Sequence, residues 1–297
     1  MQFFNDVHYN IVSKRKMGYF FSGTLILISI ISLILHGGPR YNIDFTGGTF
    51  IQMKFQKDIE IQPLRQVLQN AGYAEVELKH FGAPNEVAIR AGVEHPIEEV
   101  SSGIKAALNK AMPDNPYKVE RIEKVGPKVG HELIIEAMLA IFWAMVLILF
   151  YIMWRFELKF SVGAIIALVH DVTITMGIFS VFNIEISAPI IAAVLTIVGY
   201  SLNDTIVVYD RIRENLRTMG KNARDITEPV NRSINETLSR TVITSLTTLF
   251  VVVVLYFFGG EVLRTFALAL IIGIIVGTYS SIFIASPIVV DWKTKKA

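Results

Sequence analysis

The sequence contains no cysteine, which rules out disulfide staples, thiolate nucleophiles and Cys-ligated zinc or iron–sulfur centres. Charge is scarce too. Only 18% of residues are Asp, Glu, Lys or Arg, against about 25% in an average soluble domain. The formal balance is +2, too small for the basic footprint of a nucleic-acid binder. With 20 Gly and 10 Pro among 297 residues, collagen-like and disordered classes also fall away. What the chain has in excess is apolar surface: 52% of residues are hydrophobic, and they gather into unbroken runs. That pattern points to an integral membrane protein rather than a soluble enzyme.

A helix crosses a bilayer core with about 20 predominantly apolar residues. Six stretches meet this: residues 17–38, 131–154, 161–182, 188–210, 239–258 and 263–291. The first follows Lys14-Arg15-Lys16 like a signal peptide, but its run is too long and no small-x-small cleavage site follows, so it reads as a retained anchor. Basic residues in short loops mark the cytoplasmic side. They precede the first span, fill the second turn at Arg155 and Lys159, and recur from Arg211 to Arg240. Lys293, Lys295 and Lys296 close the chain. The turns 183–187 and 259–261 are free of them, although Arg264 opens the sixth span. Both termini are therefore expected in the cytoplasm, and the segment 39–130 outside.

That segment alternates like a strand at Ile51, Met53 and Phe55, then takes helical spacing at Ile61, Leu64, Leu68 and Ala71. Two more strand patterns follow around Val76–Leu78 and Val87–Ile89, separated by the turn Gly82-Ala83-Pro84-Asn85. A second helical face at Ile97, Val100, Ile104, Leu108 and Ala111 and a strand near 117–125 complete a βαββαβ order, which predicts a ferredoxin-like α+β domain. Its His80 and His95 have no evident acid–base partner, so a binding or mechanical module is expected. Residues 211–238 are too polar to span. Leu216, Met219, Ala223, Ile226, Val230, Ile234 and Leu238 recur there every three or four positions, predicting amphipathic helix on the cytoplasmic surface or docked on the bundle, broken near Pro229, with a solvated loop as the alternative.

Ionisable residues inside a span cost at least about 2.5–3.5 kcal/mol at the bilayer centre and mark function by default. Asp171, next to His170, falls in the third span, and Asp204, next to Asn203, in the fourth. Arg240 enters the fifth span ahead of Thr244, Thr247 and Thr248, while Thr196, Tyr200, Asn203 and Asp204 stripe the fourth. Two polar faces of this kind are expected to pack together. The functional reading is a proton relay through Asp204, Arg240, Asp171, His170 and Asn203, in which movement between Asp204 and Arg240 loads or releases a proton. The bland alternative is a carboxylate permanently satisfied by Ser or Thr, or by His170 in the case of Asp171. Asp210 and Arg211 read as a solvated pair at the interface. Gly273 and Gly277, extended by Ser281, read as a helix-packing face. No catalytic, metal or cofactor site is indicated, so the chain is not expected to be an enzyme; protons are the coupling species the relay implies.

Asn42-Ile43-Asp44-Phe45-Thr46-Gly47-Gly48-Thr49 resembles the Gly-x-Asp-Phe-Thr-Gly-Gly-Thr signature of the SecF side of the SecD/SecF family of bacterial protein-export subunits, with Asn42 where Gly is usual. Residues 199–215, GYSLNDTIVVYDRIREN, are similar to that family's fourth-span signature, and Leu168-Val169-His170-Asp171 and Ser239-Arg240-Thr241 to further motifs. The resemblance covers essentially the whole chain. It implies half of a resistance–nodulation–division type bundle, paired with SecD in the bacterial inner membrane. It further implies association with the SecYEG translocon, with YajC as a candidate further partner, and use of the proton-motive force to help export unfolded polypeptides. It makes Asp204 the proton-pathway carboxylate, Arg240 its neighbouring arginine, and Asp44, Gly47 and Gly48 a structural motif. The rival within the superfamily is a half-subunit of a proton-driven small-molecule or lipid exporter, although such chains carry both halves and larger external domains. An intramembrane aspartyl protease would need Gly-x-Gly-Asp, whereas Ser201-Leu202-Asn203 precedes Asp204.

Overall fold

In lipid every backbone polar group must be satisfied within the protein, which leaves long helices as the form that these apolar runs can take. The computed structural model describes residues 8–93, 97–218 and 225–294; His95, Met219 and Ala223 of the sequence reading lie outside them. After a short turn of 3-10 helix at Val12–Lys14, the order is α1 (Arg15–Leu35), α2 (Ile43–Thr46), β1 (Gly48–Phe55), α3 (Ile61–Asn70), β2 (Glu77–Phe81), β3 (Ala83–Ala91), α4 (Ile97–Ala111), β4 (Tyr117–Val125), α5 (Pro127–Arg155), α6 (Leu158–Val181), α7 (Ala188–Thr218), α8 (Thr227–Phe258) and α9 (Gly260–Ser280). A π-helical segment, Ser281–Ala285, then leads into α10 (Ser286–Thr294). Six helices are long and apolar enough to cross a membrane. The chain divides into a helical unit and a sheet unit; the latter comprises residues 41–139 and 185–188.

In the helical unit the core gathers Ile152, Phe160, Leu168, Val198, Tyr209, Ile212, Val230, Ile234 and Val289. Tyr209 is fully buried and packs edge-on to Phe160, with ring centroids 4.9 Å apart. Its hydroxyl donates to the Ala285 carbonyl at 3.1 Å, and Ser286 Oγ donates to the Ser281 carbonyl at 2.7 Å. The π segment's displaced carbonyls thus find side-chain donors, as a buried backbone requires.

The segment expected as amphipathic helix on the cytoplasmic surface or docked on the bundle is formed by the extensions of two long helices. α7 continues to Thr218, and α8 begins at Thr227. Pro229 does not break α8. It lies in the first turn, where a missing N–H removes no intrahelical bond. Ile226, Val230 and Ile234 bury inward, and Asn231 Oδ1 accepts from the backbone N–H groups of Ile11 (2.8 Å) and Val12 (3.1 Å). Asp210 and Arg211 do not pair with each other either. Asp210 meets Arg155 at 3.2 Å, and Arg211 donates to Glu236 at 2.6 Å and Glu214 at 2.5 Å.

The sheet unit has strand order β2-β3-β1-β4 with every pairing antiparallel, the arrangement expected of a split βαβ sandwich. Ile51, Met53, Phe55, Leu78, Val87 and Ile89 meet Leu64 and Leu68 of α3 and Val100, Ile104 and Leu108 of α4 in one core. The β2–β3 turn is tighter than the sequence suggests, because Gly82 at φ +84° reverses the chain and Ala83–Asn85 already belong to β3.

Gly48 stands at φ +124°, and a Cβ there would collide with the Ala91 carbonyl. Gly48→Ala is therefore expected to destabilise the sheet unit by about 1–3 kcal/mol. Gly23, on α1 with open space around it, is the control: Gly23→Ala should be neutral or stabilise by up to about 1 kcal/mol. Thermal unfolding of the detergent-solubilised chain, read through tryptic cleavage of each unit, separates the two.

Candidate functional site

Two buried carboxylates lie in the helical unit, each answered by hydroxyls from neighbouring helices. Asp171 of α6 is 1% exposed. One of its oxygens accepts from Ser201 Oγ of α7 at 2.5 Å and from Ser280 Oγ of α9 at 2.8 Å; the other faces His170 Nδ1 at 2.8 Å. Three helices converge on this point because α7 and α9 approach closely. Gly273 faces Ile197 and Gly277 faces Ser201, where a Cβ on Gly277 would stand 2.9 Å from that of the serine. The GxxxG on the sixth span is thus a packing face, as expected.

Asp204 of α7 is 2% exposed. Its hydrogen-bond partner among the described residues is Ser245 Oγ of α8 at 3.2 Å. Ser245 lies 2.7 Å from Thr278 Oγ1 of α9, whose hydroxyl is 2.7 Å from the Ile274 carbonyl. Each hydroxyl has one proton to give, so the direction of this chain depends on the acid. With Asp204 ionised, Ser245 donates to the carboxylate and Thr278 can donate to Ser245. With Asp204 neutral, its own proton goes to Ser245, Ser245 donates to Thr278 and Thr278 to the Ile274 carbonyl. Rotation of two hydroxyls satisfies either charge state without moving a helix. The same two hydroxyls can thus bond to this carboxylate with or without its proton.

The polar stripes of α7 and α8 meet in part. Tyr200 donates to the Thr244 carbonyl at 3.1 Å and to Thr248 Oγ1 at 3.3 Å. Thr196 and Thr247 turn back to their own helices, at the carbonyls of Ala192 and Ile243. His170 and Asp171 are brought together. Asn203 is exposed, and so is Arg240, with no ion pair between Arg240 and Asp204 among the described residues. The sequence reading missed Ser201, Ser245, Thr278 and Ser280, which are the hydroxyls that hold the two acids. On helices apolar all round, spacing shows which residues share a face but not which face turns inward.

In the sheet unit, Asn42, standing where the family signature has Gly, caps α2: its Oδ1 accepts from Asp44 N at 3.0 Å. Asp44 Oδ2 in turn accepts from Ala188 N at 2.9 Å, which places a carboxylate at the first residue of α7. Gly47 (φ +76°) and Gly48 supply the backbone turn into β1 that a side chain would strain. Glu185 meets Lys79 at 3.0 Å and also pairs with Arg90.

Six apolar helices with two buried, hydroxyl-held acids, joined to a ferredoxin-like sheet unit, define a multipass helical membrane protein. The family described as "Protein export membrane protein SecD/SecF, C-terminal" matches residues 104–295. Protein translocase subunit SecF of Calditerrivibrio nitroreducens is 49% identical over 287 residues, spanning 96% of this chain and 94% of that one. The subunit of the same description from Rhodothermus marinus is 45% identical over 303 residues, 100% and 97% of the two chains. Among solved structures, SecDF from Thermus thermophilus, described as a translocon-associated membrane protein, superposes with TM-score 0.86 at 39% identity over 97% of this chain. A second SecDF structure, in a "super-membrane-facing form", gives TM-score 0.72 at 38% identity. This chain spans about two-fifths of each of those structures' chains, 39% and 40%. The chain belongs to the SecD/SecF family of protein-export membrane proteins, among its SecF subunits.

Ser201→Ala and Ser280→Ala each remove one donor from a buried carboxylate, and each is expected to cost about 1.5–3 kcal/mol. Ser281→Ala deletes a hydroxyl that only returns to its own helix at the Thr278 carbonyl and should cost less than about 1 kcal/mol. Unfolding temperatures of the three variants in one detergent provide the comparison.

Proposed function

We propose that the chain uses the proton-motive force to assist Sec-dependent export of proteins across the bacterial inner membrane, with Asp204 as the group that takes up and releases the proton. The observation that carries this reading is the Asp204–Ser245–Thr278 chain, which satisfies both charge states of a carboxylate in a site where a permanently charged one would be costly. Asp171 and His170 form the second station of the relay. Arg240, exposed on α8 five residues before Ser245, is the cation whose approach favours the charged form of Asp204, and Asn203 borders the path. No bond to carbon is made or broken, so the part played is coupling rather than catalysis. Each proton moving inward releases about 2.3 kcal/mol per 100 mV of membrane potential, the order of one conformational step.

The partner in this reading is SecD, which would supply six further spans of a resistance–nodulation–division type bundle. It is supported by the SecDF chains that this one matches over part of their length, and by α5, whose one fully buried side chain is Ile152 although the helix is 29 residues long. So much uncovered apolar length is suited to lipid and to a second subunit. The SecYEG translocon, with YajC as a further candidate, and an unfolded exported polypeptide complete the assembly. Both termini lie in the cytoplasm and the sheet unit outside, following the distribution of Lys and Arg.

Inverted vesicles carrying the complex provide the test. Asp204→Asn keeps the size and hydrogen-bonding capacity of the side chain but removes the proton it can take up and release. The variant is expected to assemble with a SecD-type subunit at equal stoichiometry while losing the stimulation of export by an imposed proton gradient. Stimulation at the wild-type level would contradict the reading.

A further inference from the structure

A second hydrogen-bonded chain leaves Asp171 in the direction away from α7. His170 Nε2 lies 2.9 Å from Ser22 Oγ of α1, Ser22 donates to Tyr279 Oη of α9 at 3.2 Å, and Tyr279 donates to the Gly18 carbonyl at 2.9 Å. Ser22 is 3% exposed and His170 3%, whereas Tyr279 is only half-buried. The path therefore starts at a sealed carboxylate and ends at a half-buried phenol whose carbonyl partner, Gly18, stands three residues from Arg15 on α1. It runs along α1 towards the end where Arg15 pairs with Asp291 at 2.9 Å and Tyr19 donates to the same carboxylate at 3.0 Å. Neither Ser22 nor Tyr279 belongs to the motifs that single out the relay, and a serine in an apolar helix has an easier partner in its own backbone, the choice made by Ser29 at the Leu25 carbonyl.

We infer that Ser22 and Tyr279 are relay residues: with His170 they form the branch through which a proton passes between Asp171 and water at the Arg15–Asp291 end of the bundle. The inference rests on the relay reading of the buried acids and extends it to α1 and α9. The hydrogen count closes. Neutral Asp171 gives its proton to His170 Nδ1, and the Nε2 proton passes to Ser22. The serine's own proton moves to Tyr279, and the tyrosine's to a water molecule, because the Gly18 carbonyl accepts a hydrogen bond but does not keep a proton. One proton enters at Asp171, one leaves at Tyr279, and Ser22 and Tyr279 each end with the single hydrogen they began with. The imidazole ends with its hydrogen on Nδ1, facing the restored carboxylate. The geometry accommodates both directions, since with Asp171 ionised His170 donates to it through Nδ1 and Ser22 turns its hydroxyl to Nε2.

Tyr279 also packs against Phe283, ring centroids 5.1 Å apart, and edge-on to Phe21 at 5.7 Å. Tyr279→Phe keeps those contacts and deletes only the oxygen. The experiment is proton uptake into vesicles loaded with a pH-sensitive dye and carrying the complex of this chain with its SecD-type partner, under an imposed gradient. Ser22→Ala and Tyr279→Phe are expected to slow uptake at least tenfold with unfolding temperature and assembly retained, and Ser22→Thr, which keeps the hydroxyl, to restore it. Wild-type uptake in Ser22→Ala and Tyr279→Phe, with Asp204→Asn inactive, would overturn the branch and leave the relay standing. Uptake undiminished in Asp204→Asn would overturn the relay reading itself. A loss in Ser22→Thr equal to that in Ser22→Ala would make the contribution one of packing and overturn the branch as well.

Discussion

The cost of placing a carboxylate in an apolar bundle governs the rest of the helical unit. An acid there must be either paired, supplied with donors, or neutral. The two acids meet this constraint differently. Asp171 has partners from its own helix and from α7 and α9, and the Gly273–Gly277 face permits the approach that brings the last two together. Among the described residues Asp204 has one hydroxyl, itself shared with a second. A well-supplied acid fixes where three helices meet. A sparsely supplied one, backed by hydroxyls that can turn over, is the place where the proposed relay has charge change.

The same economy explains the small hydroxyl residues in the surrounding helices. Ser and Thr can donate or accept, so a chain of them can run in either direction. Lys or Arg at those positions would fix the charge of the acids, and Val or Ala would leave them bare. The π segment follows immediately after Ser280, with its displaced carbonyls taken up by Tyr209 and Ser286. In the sheet unit, Asp44 has another use: it caps the first residue of α7, the helix that carries Asp204 sixteen residues further on.

Much of this was legible from the residues. Apolar runs of about 20 residues located the six long helices, and the switch between two-residue and helical periodicity located β1, α3, α4 and β4. The sheet order followed from the βαββαβ sequence because few connections satisfy it. Asp171, His170 and Asp204 stood out because charge is rare in such runs. What did not emerge was rotational phase. Thr244, Thr247 and Thr248 looked like the polar face of α8, yet Ser245 beside them is the residue that reaches Asp204, because a helix apolar on all sides carries no moment to orient it. The stretch before the fifth span read as a separate segment because its polarity resembles a surface helix and Pro229 resembles a stop. Only tertiary packing distinguishes that from the first turns of one long helix. Arg240 was expected as the cation that biases Asp204; it is exposed on α8, and no ion pair joins it to that acid among the described residues.

The account turns on whether the Asp204 side chain changes protonation. Infrared difference spectroscopy of the reconstituted complex, recorded as a proton gradient is switched on and off, reads this directly in the carbonyl stretch of a protonated carboxyl. The account predicts a band that rises and falls with the gradient and is missing in a chain lacking that acid. A spectrum with no such band, or one that stays constant through turnover, would contradict it.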